Sequence, residues 1–333
     1  MNSTQSVKDV ADRAQGGLRP APSLEGVYVL GHLSDPHLST LEGVRPGELV
    51  NKRVLGYLSW LRRRRFEHLP GVLASAVQEL RSMDPDHIVI TGDLTHIGLP
   101  GEFAQVRAWL ERLGPPRDVT VIPGNHDAYV RASARQTLTH WLPYLASDGM
   151  QGDGPPDALF PSLRLRGPLA LIGLSSAVPT APFLASGAVG QVQMARLEEI
   201  LRRTAEQGYI RVVMIHHPPV PDVVGVRKHL RDAPALRSVL ERLGAELILH
   251  GHAHAFSLKT LNTARGRVPV IGAPSASARG GSLHPAGGYH LYRFSRVGRR
   301  VEMEVACRSY APATGRFTAA ATRTLELPLS LRS

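Results

Sequence analysis

The chain contains a single cysteine, Cys307, so no internal disulfide can form. That fits a reducing compartment and removes thiolate pairs from any metal site. No run of about 18 apolar residues occurs, which excludes a membrane-spanning helix on length grounds. Residues 1–25 are polar and rich in Gly and Pro, and they lack the apolar centre of a secretory signal. They are expected to form a flexible tail ahead of one domain over residues 26–333. No repeat of solenoid length and no linker-like stretch divides the remainder. A cytoplasmic protein is therefore the expectation. Acidic residues are also in short supply: 28 Asp+Glu face 39 Lys+Arg, a formal net charge of +11. Such a surface favours anionic partners, whether a phosphorylated small molecule, nucleic acid or an anionic membrane face. Charge alone does not choose among them, and nothing in the sequence sets an oligomeric state.

What the chain does have is a series of short β-rich runs that each end in a polar cluster. "VYVLGHLS" leads into Asp35 and His37, "DHIVITGD" into Asp93, and "DVTVIPGNHD" into Asn125 and His126. "IRVVMIHHPP" ends in His216 and His217, and "AELILHGHAH" in His252 and His254. Between them, "PGVLASAVQELRSM", "EFAQVRAWLERLG", "QVQMARLEEILRRTAEQG" and "APALRSVLERLG" repeat apolar residues near the 3.6-residue period. Strands separated by such helices imply βαβ units and a largely parallel core sheet. After His254 the runs "FSLKTLN", "VPVIGAP", "GYHLYRFS" and "RVEMEVACRSY" are expected to form a second, more antiparallel sheet. The fold class is thus α/β with two packed sheets.

Asp35 and His37, one residue apart, share one side of an extended chain. Each cluster lies at the C-terminal end of a predicted strand, the edge where open α/β sheets bind ligands. The donors are Asp35, His37, Asp93, Asn125, His216, His252 and His254. Carboxylate, amide and imidazole without thiolate suit borderline divalent ions such as Mn, Fe or Zn. Seven donors exceed what one catalytic ion with an open position needs. They suit two ions about 3.5–4 Å apart with a shared carboxylate. His126 is left over beside a ligand, free to protonate a departing alkoxide. Gly92, Gly124 and Gly251 fit the tight turns that bring such ligands together.

The ordered blocks "DPH", "GD", "GNHD", "HH" and "GHAH" resemble the signature of the calcineurin-like metallophosphoesterases. The resemblance implies a four-layer αββα sandwich of two mixed β-sheets flanked by helices. It implies that Asp35, His37 and His254 bind one metal, that Asn125, His216 and His252 bind the other, and that Asp93 bridges. His126 would be the catalytic histidine, and a metal-bridging hydroxide would attack phosphorus. "HHPP", "HLRDAPAL" and "GHAH" look more specifically like the bacterial class-III cyclic nucleotide phosphodiesterases, which makes phosphodiester hydrolysis the expected activity. The related UDP-2,3-diacylglucosamine pyrophosphatases supply the alternative, a lipid-linked phosphate or pyrophosphate substrate at the membrane surface.

Three further features bear on substrate. His96, three residues past Asp93, is a candidate to line the cleft, and His217 stands beside a ligand; both are candidate substrate-binding residues. Asp127 is expected to orient the loop rather than to bind metal. Residues 51–66, "NKRVLGYLSWLRRRRF", read as a basic amphipathic insertion near the rim of the site, with Val54, Leu55, Tyr57, Leu58 and Leu61 on one face. Such a helix either docks on the core or lies on an anionic membrane, which would place the protein peripherally at the inner membrane face.

Overall fold

The computed structural model describes residues 18–38, 40–49, 51–150, 159–281 and 285–330. The six-stranded first sheet has the order β12-β11-β10-β1-β2-β3, built from β1 (Val27–Leu33), β2 (His87–Ile90), β3 (Val119–Val121), β10 (Gly288–Val297), β11 (Arg300–Ala311) and β12 (Arg316–Ser330). The second, also of six strands, has the order β4-β5-β6-β7-β9-β8, built from β4 (Ser162–Arg166), β5 (Leu169–Gly173), β6 (Ile210–Met214), β7 (Leu247–His250), β8 (Ser257–Thr263) and β9 (Gly266–Gly272). Strands β1, β2 and β3 run parallel, as do β5, β6, β7 and β9, and the outer strands are antiparallel.

Among the described residues, six helices of seven residues or more cover or edge the sheets: α1 (Arg53–Ser59), α2 (Pro70–Ser82), α3 (Pro100–Leu113), α4 (Arg131–Leu145), α5 (Gln191–Glu206) and α6 (Ala233–Leu243). The two-residue alternation of the second sheet explains the layering. Leu169 and Leu171 of β5, Val212 and Met214 of β6, and Leu247 and Leu249 of β7 enter a core shared with Leu30, Val89 and Val121 of the first sheet. Their intervening neighbours Ile172, Val213 and Ile248 turn the other way, onto Leu197 and Leu201 of α5 and Leu236 and Leu240 of α6. Against the first sheet, α2 supplies Leu73, Ala76 and Leu80, and α3 supplies Phe103, Val106 and Leu110. The result is the four-layer αββα sandwich, with parallel strands apolar on both faces as buried strands require.

Two expectations need correction. The four runs after His254 do not make a separate antiparallel sheet. Strands β8 and β9 extend the second sheet, with β9 parallel to β7, whereas β10, β11 and β12 extend the first from β1. Hydrophobic alternation reports which face of a strand is buried and not which neighbour it pairs with. Of the tail expected over 1–25, residues 1–17 lie outside the described ones, but 18–25 are held. Leu24 is buried in the large core, and the Ala21 N–H donates to the Gln207 carbonyl at 2.8 Å. Among the described residues no helix is long and apolar enough to cross a membrane.

Candidate metal centre

All seven expected donors lie on loops that leave the C-terminal ends of β1, β2, β3, β6 and β7. Five of them hold left-handed backbone: Asp35 at φ 48°, His37 at 38°, Asp93 at 56°, His252 at 66° and His254 at 54°. Non-glycine residues adopt this region only when their surroundings enforce it, and such residues cluster at functional sites. Here the loops enforce it on one another. The Asp35 N–H donates to the Gly92 carbonyl at 3.0 Å and the His37 N–H to the Asp93 carbonyl at 3.1 Å. Asp35 Oδ2 accepts from Ser34 Oγ at 2.6 Å and from the His252 N–H at 3.0 Å.

The donors converge in two overlapping groups. Asp35, His37, Asp93 and His254 form one, and Asp93, His216 and His252 the other, with the donor atoms within each group at most 4.8 Å apart. Asp93 belongs to both, as a bridging carboxylate would. Its Oδ2 lies 3.3 Å from His216 Nε2 and 4.0 Å from His37 Nε2, and Asp35 Oδ1 lies 3.2 Å from His254 Nε2. Asn125 Oδ1 sits 3.1 Å from His216 Nε2, so the amide joins the second group. The outer nitrogens of the rings are tied to backbone: His37 Nδ1 to the Thr95 carbonyl at 2.9 Å, His216 Nδ1 to Thr91 at 2.7 Å and His252 Nε2 to Lys228 at 3.0 Å. Such bonds fix the ring and turn the other nitrogen inward, the usual support of a metal-binding histidine.

The residues fit a pair of divalent ions. Asp35 Oδ1 is buried with His254 Nε2 at 3.2 Å as its one close polar contact, which leaves it acceptor capacity for a cation. Burial alone would lower His216, but the Asp93 and Asp35 carboxylates override it and raise it to about 9. Burial would likewise raise Asp93, yet His216 and His126 hold it well below the usual carboxylate range. Burial first, then the neighbouring imidazoles, pushes His37 and His252 well below 6.5, so both stand as the neutral rings that bind metals.

Around this centre the other expected residues take distinct places. His126 borders the cavity, 8% exposed like Asn125, and its N–H donates to Asp93 Oδ1 at 2.8 Å. Its Nδ1 is 2.5 Å from the His96 carbonyl, so Nε2 is the nitrogen left facing the cavity. Burial first and Arg64 second push His126 down to about 3, leaving a neutral imidazole at rest. His96 touches the site through that carbonyl and through its ring, which stacks on His37 at 5.4 Å. The ring of His217 lies 4.4 Å from that of the candidate ligand His252, with Nδ1 2.7 Å from Ser176 Oγ and Nε2 3.1 Å from the Ala185 carbonyl. Both nitrogens of His217 are thus engaged by protein. Asp127 straps two ligand loops together: Oδ1 accepts from the Leu94 and Thr95 N–H groups at 3.0 and 2.9 Å, and Oδ2 from Gly124 at 2.9 Å.

Sequence reasoning missed two residues, one just past the insertion and one within it. His68 groups with His37 and His254 as a third imidazole at the first metal position, its ring 4.4 Å from that of His37. Arg64 places Nη1 3.0 Å from His126 Nε2. The insertion itself is docked. Trp60 is buried with Leu41, Ile97 and Leu99, and Tyr57 and Leu61 pack against them. Val54, Leu55 and Leu58 of the expected apolar face stay 42%, 40% and 39% exposed.

An αββα sandwich whose facing sheet edges bring together a His/Asp/Asn cluster in two groups sharing Asp93 fits a dimetal phosphoesterase. The similarities agree. A profile of the calcineurin-like phosphoesterases matches residues 28–256, more than half of the chain. A probable cyclic nucleotide phosphodiesterase of Rhodococcus erythropolis is 33% identical over 231 residues, 68% of this chain and 65% of that protein. A cAMP/cGMP dual specificity phosphodiesterase of Mycobacterium tuberculosis is 31% identical over 245 residues, 71% of this chain and 65% of that one. The matched region therefore spans about 65% of the length of these relatives. The crystal structure of a dimetal phosphatase from Danio rerio shares the fold at a TM-score of 0.58 and 16% identity, covering 89% of this chain and 99% of that one. The chain belongs to the calcineurin-like phosphoesterase family.

Proposed function

We propose that this protein is a dinuclear metal-dependent phosphoesterase that hydrolyses phosphodiesters, with cyclic nucleotides the first substrates to test. The observation that carries the reading is the convergence of seven donors in two groups sharing Asp93. The names of the two bacterial relatives supply the cyclic nucleotide class. Asp35, His37 and His254 would hold one ion, Asn125, His216 and His252 the other, and Asp93 both. When bound, a pair of divalent ions (Mn, Fe or Zn) supplies an acidified water as nucleophile and neutralises phosphoryl oxygens. The chain's own contribution is to orient. Backbone carbonyls of Thr91 and Thr95 fix the His216 and His37 rings, and the His96 carbonyl holds the His126 Nδ1 proton. His126 would take a proton from solvent at Nε2 as the negative charge of the substrate arrives, and would pass that proton to the departing oxygen. The apolar interface shared by the two sheets supports treating residues 26–333 as one domain, and we place that domain in the cytoplasm.

Asp93→Ala and Asn125→Ala are each expected to abolish hydrolysis of bis-p-nitrophenyl phosphate in Mn²⁺ while leaving the circular dichroism spectrum unchanged. Full activity in both variants would remove the assignment. A second reading, a lipid-linked phosphate or pyrophosphate substrate at an anionic membrane, draws on one observation. Val54, Leu55, Leu58 and Phe66 are exposed beside the exposed Arg62, Arg63 and Arg65. Co-sedimentation with phosphatidylglycerol vesicles that is lost when Leu55 and Leu58 become Ser would favour it.

A further inference from the structure

The four consecutive arginines of the insertion are not equivalent. Arg62, Arg63 and Arg65 are exposed; Arg63 Nε pairs with Glu67 Oε1 at 3.2 Å and Arg65 lies over the Phe66 ring at 4.6 Å. These are ordinary solvated contacts worth little. Arg64 is half-buried and turned inward, with Nη1 3.1 and 3.0 Å from Nδ1 and Nε2 of His126. Among the described residues no carboxylate lies within ion-pair distance of it. With Lys228 it lines two cavities, one of about 370 Å³ beside Asn125 and His126 and one of about 460 Å³ beside His254.

The local structure is built to hold that side chain there. Residues Trp60–Arg64 form a π-helical turn between α1 and the short helical turn Arg65–Glu67. A π turn is a wide, rare insertion in an α-helix and recurs at functional sites, because it re-aims side chains without ending the helix. On its near side Trp60 is anchored in apolar packing, and α1 approaches so closely that a Cβ on Gly56 would sit 2.5 Å from Ile97 Cγ2. On its far side His68 Nδ1 bonds Ser277 Oγ at 2.9 Å, and the Leu69 N–H donates to the Ser277 carbonyl at 2.9 Å. Arg64 is thus suspended between two fixed points, over the mouth of the site.

Asp93 and Glu67 act on this guanidinium only from beyond ion-pair distance, and its close contact is an imidazole, so an anion joining it would offset the cost of its burial. Its planar fork suits two phosphoryl oxygens, or one oxygen and a neighbouring acceptor, better than an ammonium does. We infer that Arg64 is a substrate-binding residue that takes a non-bridging oxygen of the scissile phosphate beside His126. The inference rests on the phosphoester reading above for the identity of the anion, and it adds a cation from outside the five motif blocks to the phosphate site.

The test uses the Mn²⁺-loaded full chain, bis-p-nitrophenyl phosphate as substrate and inorganic phosphate as ligand. Arg64→Ala is expected to lower kcat/KM about 100-fold, the order expected for losing one hydrogen bond between charged groups in the bound complex. Most of the loss should fall on KM, since the non-bridging oxygen of a diester is charged before the transition state. Affinity for inorganic phosphate, read by calorimetry, should drop at least tenfold. Metal content per chain should not change, which separates loss of an anion contact from damage to the metal site. Arg64→Lys should recover only part of the loss, and Arg65→Ala should stay within twofold of the parent. Arg64→Gln serves as the second variant should alanine loosen the helix. Parent-like KM and phosphate affinity in folded Arg64→Ala or Arg64→Gln would overturn the inference. If the parent cleaves no phosphodiester yet binds phosphate in an Arg64-dependent way, the function proposed above falls and the role of Arg64 stands.

Discussion

Glu102 offers a direct way to ask how the catalytic loop is held. It stands in the first turn of α3, is 1% exposed, and its carboxylate caps the loop that follows Asp93. Oε1 accepts from the His96 N–H at 2.6 Å, and Oε2 from Ile97 at 3.1 Å and Leu99 at 2.9 Å. Replacing Glu102 by Ala therefore strands three buried N–H donors. Hydrogen bonds to a charged group contribute about 1.5–3 kcal/mol each, so three independent bonds would sum to about 4.5–9 kcal/mol. They share one carboxylate and one loop, and the loop can relax toward water. The expected loss is therefore about 3–5 kcal/mol, the range for removing one partner from a buried charged network. Against a typical stability of about 5–15 kcal/mol, that leaves a protein that still folds in the cold. Glu102→Gln should cost less. Its oxygen can still accept from Ile97 and Leu99, while its amide meets the His96 N–H donor to donor.

The loop also carries the carbonyl that orients His126, so the effect should reach beyond stability. In urea titrations followed by tryptophan fluorescence, the midpoint should fall in the order parent, Gln variant, Ala variant, with the slope unchanged. In assays well below the unfolding transition, the Ala variant should lose kcat more than it loses metal. A Glu102→Ala protein within 1 kcal/mol of its parent and with parent-like kcat would refute the reasoning.

Two further outcomes follow from the geometry. A Cβ on Gly124 would lie 2.2 Å from Asp93 Oδ1 and 2.4 Å from the Asp93 nitrogen, so Gly124→Ala must displace the shared carboxylate. Bound metal per chain, measured by mass spectrometry, should fall and hydrolysis should be lost, with the secondary structure retained. The second outcome concerns acid. His87 and His290 are each pushed down to about 3, chiefly by burial, from an ordinary value of 6.5. Between those limits the unfolded chain binds protons that the folded chain refuses. Stability must then fall as pH drops below about 6.5, and in the range above it these groups contribute no slope. Urea midpoints at pH 7, 6 and 5 should decline stepwise, and His87→Gln, which can still bond Thr120, should flatten that decline; a midpoint that rises toward pH 5 would contradict it.

How much of this was legible in the sequence varied with the kind of constraint. The candidate donors were legible because each stands at the end of an apolar β run, where a core residue would be expected, and because five such ends occur in one order. The layered architecture was legible in part. Runs such as "VVMI" announced strands buried on both faces, and Val212 and Val213 do face opposite layers. Pairing was not, since β9 joins β7 in parallel while β10 crosses to β1, and the alternation in both strands would look the same in either sheet. His217 shows the same limit at a single residue. Beside His216 it looked able to face substrate, but consecutive residues leaving a strand point apart, and its nitrogens are spent on Ser176 and Ala185.

The insertion is where composition was least informative, and the reason is physical. A helical wheel drawn at 3.6 residues per turn places Val54, Leu55, Tyr57, Leu58 and Leu61 together, as though one face were to be buried or laid on lipid. In the folded chain that face is divided: Tyr57 and Leu61 pack on Ile97 and Leu99, and Val54, Leu55 and Leu58 remain in solvent. The π-helical turn over Trp60–Arg64 breaks the period within the arginine run. A wheel assumes a constant period, so it cannot say which of four identical arginines turns inward. Arg64 is distinguished by register alone, and register here is fixed by contacts distant in sequence: Trp60 on Leu41 and Ile97, and His68 on Ser277. The same contacts place His68 beside His37 and His254. The motif blocks bring the candidate metal donors together, whereas the helical segment between the first two of them decides which further cation stands beside His126, and that register is set by the tertiary fold.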